Sequence, residues 1–152
     1  MNRLQILHTL LRREQDRRDV ALTEWRESQR AVELAQQQAE SLVAYRGEYR
    51  ERWAAQFARS APIEIIRYYQ GFVERLEQAI VAQQHSARMA EERQLAARAR
   101  LQKREIKVAT VRKLIERRLL AAELAVQRRD QKISDEASQR LVWAARQHMA
   151  SV

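Results

Sequence analysis

Hydrophobic residues recur along the first third of the chain at alternating spacings of three and four. From Leu4 this spacing selects fifteen positions in one unbroken register, and eleven of them are apolar. The positions are Leu4, Leu7, Leu11, Glu14, Arg18, Ala21, Trp25, Ser28, Val32, Ala35, Ala39, Leu42, Arg46, Tyr49 and Trp53. A repeat of about 3.5 residues per turn is typical of a helix that supercoils around a partner helix. We therefore predict a first coiled-coil helix over about residues 3–58.

The same spacing returns from Ile66, where twelve of fifteen positions are apolar. These are Ile66, Tyr69, Val73, Leu76, Ile80, Gln83, Ala87, Ala90, Gln94, Ala97, Leu101, Arg104, Val108, Val111 and Ile115. The register continues through Leu119, Ala122, Val126, Arg129 and Ile133. Two successive steps of four, at Val111, Ile115 and Leu119, indicate a stutter that locally unwinds the supercoil. We predict a second helix over about residues 63–148.

A short turn, over about residues 59–62, separates the two helices. Pro62 is the only proline, and it blocks helix continuation, disfavours the α conformation at Ala61 and suits the first turn of a new helix. Ser60 is a candidate N-cap, and Glu64 would lie near the positive end of the second helix dipole. So tight a connection predicts an antiparallel hairpin.

If the turn centres near Ala61, Tyr49 faces about Val73 and Leu4 faces about Arg118. At about 1.5 Å per residue the second helix is much the longer, and roughly 30 residues of it overhang. We expect this overhang, after about Leu119, to fray or to require a partner. The predicted fold is all-α, an elongated antiparallel two-helix coiled-coil hairpin with a C-terminal helical overhang, forming a single domain over residues 1–152. A homodimer of two continuous chains is disfavoured by Pro62 but stays open.

Composition narrows the class of protein. Two Gly and one Pro cannot supply the turns of a sandwich, a barrel or a βαβ fold, and 32% charged residues argue against a membrane-spanning helix. No Cys is present, which removes disulfides and thiolate zinc sites, and the apolar segment Leu4–Leu11 is too short for a signal peptide. We therefore expect a cytosolic protein. Gly47 and Gly71 lie near each other in the hairpin register, either for close backbone approach or as tolerated surface residues.

Catalytic chemistry finds no support in the sequence. His8, His85 and His148 are far apart in the hairpin and have no metal-ligand or acid–base partners at suitable spacing. Nothing resembles a phosphate-binding loop, and a two-helix hairpin offers no pocket in which a nucleophile could be desolvated. We predict that the protein is not an enzyme and uses no cofactor, metal or small-molecule substrate.

Positive charge is concentrated in residues 93–118, which carry ten basic and two acidic side chains, a net charge of +8 against +9 for the whole chain. The basic residues are Arg93, Arg98, Arg100, Lys103, Arg104, Lys107, Arg112, Lys113, Arg117 and Arg118. Such a field attracts nucleic acid, an anionic membrane or an acidic protein, unless the run is simply a solvated coiled-coil face. No aromatic residue interleaves the run, so we expect no sequence-specific nucleic-acid recognition.

Seven of the nine aromatic residues flank the turn: Tyr45, Tyr49, Trp53, Phe57, Tyr68, Tyr69 and Phe72. Some of these rings must pack between the helices. A two-helix coil is too narrow to bury them all, however, and exposed aromatic patches are typical of protein interfaces. We predict an exposed aromatic strip that binds another protein.

Four spaced patterns resemble the FliJ family of flagellar type III export proteins. They are Gln38-x3-Leu42-x2-Tyr45-x3-Tyr49, Tyr69-x2-Phe72-x3-Leu76-x2-Ala79-x3-Gln83, Val111-x2-Leu114-x-Glu116-x-Arg118 and Arg128-Arg129-Asp130-Gln131-Lys132-x2-Asp135-Glu136. The resemblance covers essentially the whole chain. It implies an antiparallel coiled coil similar to the central stalk of rotary ATPases, placed in the pore of the hexameric flagellar export ATPase FliI. It also implies contact with the export gate protein FlhA, promotion of proton-driven export, and a general chaperone role in flagellum biogenesis and motility, with export chaperones as further partners. The location implied is the cytoplasmic face of the inner membrane at the flagellar base.

The resemblance assigns gate binding to a strip formed by Gln38, Leu42, Tyr45, Tyr49, Phe72, Leu76, Ala79 and Gln83. We expect the double variant Phe72→Ala/Leu76→Ala to lose gate binding without unfolding. For the ATPase ring we hypothesise that the terminal coil, about residues 4–30 with 93–140, enters the pore, where Arg-rich flanks pair with carboxylates. The ring-binding residues would be Leu7, Leu11, Arg13, Arg17, Arg98, Arg104, Arg112, Arg117, Arg118, Arg129 and Lys132. The alternatives are the equivalent stalk of a virulence type III secretion system and a coiled-coil scaffold with a polyanion-binding basic face.

Overall fold

The computed structural model describes residues 2–60 and 62–151, which form two long helices, α1 (Arg3–Phe57) and α2 (Ile63–Ala150). The helices pack against each other, and the described residues contain no strand. The predicted all-α hairpin is therefore confirmed. Neither helix, within these described residues, has a stretch apolar and long enough to cross a membrane.

The interface between α1 and α2 follows the predicted register. Every one of the thirty positions selected by the spacing from Leu4 and from Ile66 is buried or half-buried. The buried hydrophobic side chains all come from this set: Ala21, Val32, Ala35, Leu76, Ile80, Ala87, Ala90, Ala97, Leu101, Val108, Val111 and Ile115. Five of these twelve are alanines, so the core is thin and the contacts between the helices rest on small side chains.

Residues 16–105 form one of two compact units. In this unit Val32, Ala35, Ala87 and Ala90 make a small cluster of buried side chains. Polar contacts flank the apolar interface: Gln36 donates to Glu91 at 3.0 Å, Arg50 pairs with Glu77, and Arg100 lies 3.8 Å from Glu24. The ring centroids of Tyr49 and Phe72 are 4.5 Å apart. Phe72 is one residue from the partner that the sequence predicted for Tyr49, so the antiparallel register agrees with the expectation.

The second unit comprises residues 2–15 and 106–151. Its buried residues are Glu14, Val108, Val111 and Ile115. Every described residue from 116 to 151 is exposed, although α2 continues to Ala150. Leu119 is 51% exposed, so the unpaired part of α2 begins just after Ile115 and not after Leu119. In the expected register Leu119 lies opposite the first residues of α1, where that helix has no further turn to cover it.

The helix ends show features that the sequence analysis did not assign. At the start of α1 the Asn2 amide donates to the Gln5 side chain at 3.1 Å, and the Gln5 amide donates to Asn2 Oδ1 at 2.8 Å. This reciprocal pair is a capping box, built here on Asn and Gln. Its sequence signal, a capping residue followed three positions later by Gln, was available.

At the start of α2 the Pro62 carbonyl accepts bonds from the amides of Ile65 at 3.1 Å and Ile66 at 3.3 Å. Pro62 is therefore the N-cap residue of α2. The N-cap was expected at Ser60, which lies two residues before Pro62. Glu64 lies in the first turn of α2, as expected. Ala61, where the turn was expected to centre, is outside the described residues.

Gly47 and Gly71 both lie inside helices. A Cβ atom built at either position would meet nothing within 4 Å. The interpretation of these glycines as sites of close backbone approach is therefore wrong, because both face open space. Each glycine is a tolerated helix residue that weakens its helix.

Candidate partner-binding surfaces

An aromatic cluster occupies the end of the 16–105 unit next to the turn. Two successive spacings of four place Tyr49, Trp53 and Phe57 on one stripe of α1, and their consecutive ring centroids are 6.0 and 5.4 Å apart. From α2, Tyr69 stacks on Tyr49 at 5.6 Å and meets Phe57 edge-on at 5.1 Å. Rings from both helices therefore interlock and close this end of the interface.

The aromatic cluster is only partly buried, because two helices are too narrow to cover all of its rings. Tyr49, Trp53, Phe57, Tyr69 and Phe72 are all half-buried. At the edge of the cluster the Tyr45 ring stacks on Tyr49 at 6.1 Å and contacts Phe72 at 6.3 Å, yet Tyr45 remains 45% exposed. Tyr68 is 80% exposed. Packing between the helices thus accounts for the inner rings, while Tyr45 continues the cluster onto the surface.

A hydrogen bond between two glutamines joins the helices on the side of the cluster away from the turn. Gln83 Nε2 donates to Gln38 Oε1 at 3.0 Å and reaches the Ala35 carbonyl at 3.4 Å. Gln38 and Gln83 were both assigned to the gate-binding strip by resemblance, but their contact with each other was not foreseen. Periodicity alone marks Gln83 as an interface position and gives no sign of its partner.

The eight strip residues all belong to the 16–105 unit, and they differ in exposure. Gln38, Tyr45 and Ala79 are exposed; Leu42, Tyr49, Phe72 and Gln83 are half-buried; Leu76 is buried, with 8% of its surface exposed. The strip is therefore a surface formed by exposed members over a buried base. Because Leu76 belongs to the interface between the helices, the double variant Phe72→Ala/Leu76→Ala would weaken the hairpin as well as the surface.

The residues expected to bind the ATPase ring fall in both units. In the 16–105 unit Arg98 is exposed, and Arg17 and Arg104 are half-buried. In the other unit Leu7 and Leu11 are half-buried at interface positions. The remaining members of that second unit are exposed, namely Arg13, Arg112, Arg117, Arg118, Arg129 and Lys132. Six exposed cations within one unit would attract an acidic partner.

In the described part of the chain no three residues among His, Asp and Glu are grouped so that they could hold a metal ion. His8 belongs to the second unit and His85 to the 16–105 unit, and both are exposed.

Comparison with protein families gives a match to the model of the flagellar FliJ protein over residues 4–147. Comparison with curated proteins and comparison with solved structures each found no match. The family match covers nearly the whole chain and agrees with the resemblance found from the spaced patterns on both helices. The family consists of non-catalytic components of flagellar export. The chain therefore belongs to the flagellar FliJ protein family and is a component related to flagellar type III protein export.

Proposed function

We propose that this chain is the non-enzymatic stalk of the flagellar type III export apparatus, which inserts into the hexameric export ATPase, promotes its assembly and activity, and links it to the membrane export gate. Family membership supports the setting. The observation that carries the gate contact is that residues of the strip from both helices contact one another. Tyr45, Tyr49 and Phe72 share ring contacts, and Gln38 is hydrogen-bonded to Gln83.

The gate protein would bind this strip through its exposed members. Tyr45 offers an aromatic ring that is already fixed by stacking on Tyr49, so little side-chain freedom is lost when a partner covers it. Ala79 is exposed and small, so it leaves room for a partner side chain. The Gln38–Gln83 pair has remaining amide groups at the rim, where hydrogen bonds set orientation. Leu76, buried beneath, acts as a positioning residue.

The ATPase ring would bind the unit that contains residues 2–15 and 106–151. The exposed arginines of this unit include Arg112, Arg117 and Arg118 on α2 and Arg13 on α1. A guanidinium group forms two parallel hydrogen bonds with a carboxylate, and it keeps its charge at any physiological pH. We propose that these groups pair with carboxylates in the pore, and that Leu7 and Leu11 keep the two helices together there.

This function places the chain on the cytoplasmic face of the inner membrane at the flagellar base, with export chaperones as additional partners. The equivalent stalk of a virulence secretion system would share the same surfaces. The gene neighbourhood distinguishes the two systems. Neighbouring genes for flagellar components would support the flagellar assignment, and neighbouring virulence secretion genes would contradict it.

The decisive experiment measures ATP hydrolysis by the purified cognate export ATPase, with and without this chain, at physiological salt. The variants Tyr45→Ala and Tyr68→Ala are assayed alongside, together with binding to the cytoplasmic part of the gate protein. We expect stimulation and hexamer formation with all three proteins, and weaker gate binding with Tyr45→Ala alone. If turnover and assembly do not respond, and the chain instead binds nucleic acid with a steep salt dependence, the chain is a polyanion-binding scaffold.

A further inference from the structure

The two faces of the hairpin can be told apart by the position of a residue next to the interface. In the 16–105 unit Glu24 and Arg100 each precede an interface position by one, and they lie 3.8 Å apart. Gln36 and Glu91 each follow an interface position by one, and they are hydrogen-bonded at 3.0 Å. Residues that precede interface positions therefore share one face of the antiparallel pair, and residues that follow them share the other.

In the unit that contains residues 2–15 and 106–151, the first of these faces combines cations with aliphatic side chains. Seven residues of its paired part precede an interface position, all of them exposed: Arg3, Ile6, Leu10, Arg13, Lys107, Thr110 and Leu114. Three are basic and none is acidic, which gives a net charge of +3. The corresponding positions of the 16–105 unit include Glu24, Glu27 and Glu48, so that unit does not repeat the combination. We call these seven residues the basic–aliphatic face.

The opposite face of the same unit has a different composition. The residues that follow an interface position there are Gln5, His8, Arg12, Gln15, Ala109, Arg112 and Glu116. Two basic residues and one acidic residue give a net charge of +1 with His neutral, and Ala109 is the only aliphatic member. By contrast Ile6, Leu10 and Leu114 are 51%, 36% and 41% exposed on the basic–aliphatic face. Positive charge and exposed apolar surface therefore coincide on one side of the hairpin.

The aliphatic side chains lie in the middle of this face. In the register of the pair formed by Glu24 and Arg100, Leu10 comes opposite Leu114, and Ile6 is about one helical turn away. The cations lie beyond these three toward both ends of the face, within a total length of about 20 Å: Arg3, Arg13 and Lys107.

Such a surface suits an anionic bilayer. Arginine and lysine pair with lipid phosphates while their long stems lie along apolar surface. Aliphatic side chains between the cations can enter the boundary between headgroups and hydrocarbon. One partner thus satisfies both kinds of side chain on this face.

Other partners would leave part of the face unused. Nucleic acid is bound by cations and by stacking on aromatic rings, and it gives the three aliphatic side chains no partner. A protein interface is oriented by aromatic anchors and hydrogen-bonding groups, such as those of the gate-binding strip. The basic–aliphatic face has no aromatic ring, and its one hydroxyl, on Thr110, donates to the Ile106 carbonyl of its own helix at 2.8 Å.

We propose that the basic–aliphatic face binds the surface of a bilayer that contains anionic phospholipids, with α1 and α2 both in contact with the headgroups. This activity goes beyond the proposed export function. Arg13 also belongs to the proposed ring-binding surface, so binding of Arg13 to lipid and to the ATPase ring exclude each other. Lipid binding would hold the chain at the membrane until it joins the ATPase.

The test uses the purified full chain without any export partner, so its failure leaves the proposed function untouched. Sedimentation with vesicles at physiological salt compares pure phosphatidylcholine with a mixture that contains about one third phosphatidylglycerol, and only the mixture should bind the chain. Arg13→Glu/Lys107→Glu should lower the partition coefficient by about tenfold or more. Arg12→Glu/Arg112→Glu makes the same change in net charge on the opposite face, about 10 Å farther from the lipid, and should lower it by less than about threefold.

A second pair of variants tests the contribution of the aliphatic side chains. Ile6→Gln should weaken binding to the anionic vesicles by about threefold. Ile106→Gln, at a 65% exposed position that neither precedes nor follows an interface residue, should not weaken it. Because the chain has no cysteine, an environment-sensitive dye can be attached to Ile6→Cys or to Ile106→Cys. Its emission should shift to the blue on vesicle binding at residue 6 and not at residue 106.

Several results would overturn the proposal: equal binding to the two kinds of vesicle, equal losses with the two charge reversals, or a blue shift at residue 106 that matches the shift at residue 6. Tighter binding to duplex DNA than to the anionic vesicles, unaffected by Ile6→Gln, would also overturn it and would assign the charges to polyanion binding. The circular dichroism spectrum of every variant should match that of the wild type, since all the substituted residues are exposed.

Discussion

Gln83 donates a hydrogen bond of 3.0 Å from its side-chain amide to the side-chain oxygen of Gln38, and so joins α2 to α1. Both residues lie on the proposed gate-binding strip. Gln83 also reaches the Ala35 carbonyl, which fixes the orientation of its amide. The hydrogen bond contributes to the packing of the two helices, and the remaining amide groups of the pair lie on the proposed gate-binding strip.

A double-mutant cycle on this pair should detect its contribution to stability. Gln38→Ala and Gln83→Ala remove the same hydrogen bond, so we expect a coupling free energy of about 0.5–1 kcal/mol in urea unfolding. Gln84→Ala, at an exposed neighbouring position, is the control and should show no coupling with Gln38→Ala. Additive effects of the two strip variants would show that the bond does not contribute in solution.

Tyr45 and Tyr68 provide a matched pair of aromatic residues. Tyr45→Ala removes the ring that continues the cluster onto the surface, and we expect it to weaken gate binding by about 1–3 kcal/mol in isothermal titration. Tyr68, 80% exposed, should be replaceable by Ala without loss. Tyr68→Ala should leave the melting temperature unchanged because its ring is largely solvated, and Tyr45→Ala should lower it only slightly because its ring lies at the edge of the cluster. Equal binding by the two variants would argue against the strip.

Replacement of Leu76 tests whether the stability of the hairpin and the binding of the gate depend on the same residue. Leu76→Ala empties a buried interface position, and we expect the free energy of unfolding to fall by about 2–3 kcal/mol, measured by chemical denaturation. Gate binding measured well below the melting temperature should be weakened only modestly, because the exposed residues remain. A full loss of binding in a folded Leu76→Ala protein would show that Leu76 itself contacts the gate.

Three arginines of the second unit test ring binding. Arg112→Glu/Arg117→Glu/Arg118→Glu reverses the charge of exposed side chains, so we expect stimulation of the ATPase to be abolished while the circular dichroism spectrum is unchanged. The matched control reverses three exposed arginines of the 16–105 unit, Arg52, Arg67 and Arg75, and should still stimulate. Stimulation by the first variant at the wild-type level would contradict the proposed ring surface.

Because the core between the helices is thin, we expect the free energy of unfolding to fall when a buried alanine is replaced by a larger residue. Ala97 is 2% exposed, and Ala97→Leu would force the helices apart at a cost of about 1–3 kcal/mol in the free energy of unfolding. Ala96 is exposed, so Ala96→Leu adds the same atoms outside the interface and should change stability little. Thermal unfolding of the two variants measures the difference. Equal melting temperatures would mean that the helices are not closely packed at Ala97.

The sequence predicted the fold because one periodic signal determines it. Every buried residue of the interface was identified by spacing alone, and Pro62 by itself separated the helices. Finer features depended on groups that periodicity does not describe. The capping position moved from Ser60 to Pro62 because a backbone carbonyl, available at any residue, accepts the first helical bonds.

The resemblance supplied the membership of the strip, and the 3,4 spacing distinguished its buried base from its exposed members. That spacing includes Leu76, which is buried, and omits Tyr45, which is exposed. The bond between Gln38 and Gln83, by contrast, requires side-chain positions that spacing does not supply.

The exposure of residues 116–151 has a consequence for local unfolding within one continuous helix. Amide protons in the paired turns around Val108 and Val111 exchange with solvent only when two helices separate, whereas those beyond residue 116 need only a single helix to open. Exchange rates along α2 should therefore rise sharply within about one helical turn after Ile115. Addition of the ATPase ring would move that boundary toward the C-terminus if the ring covers this part of α2, and the position of the boundary would report how much of α2 is covered.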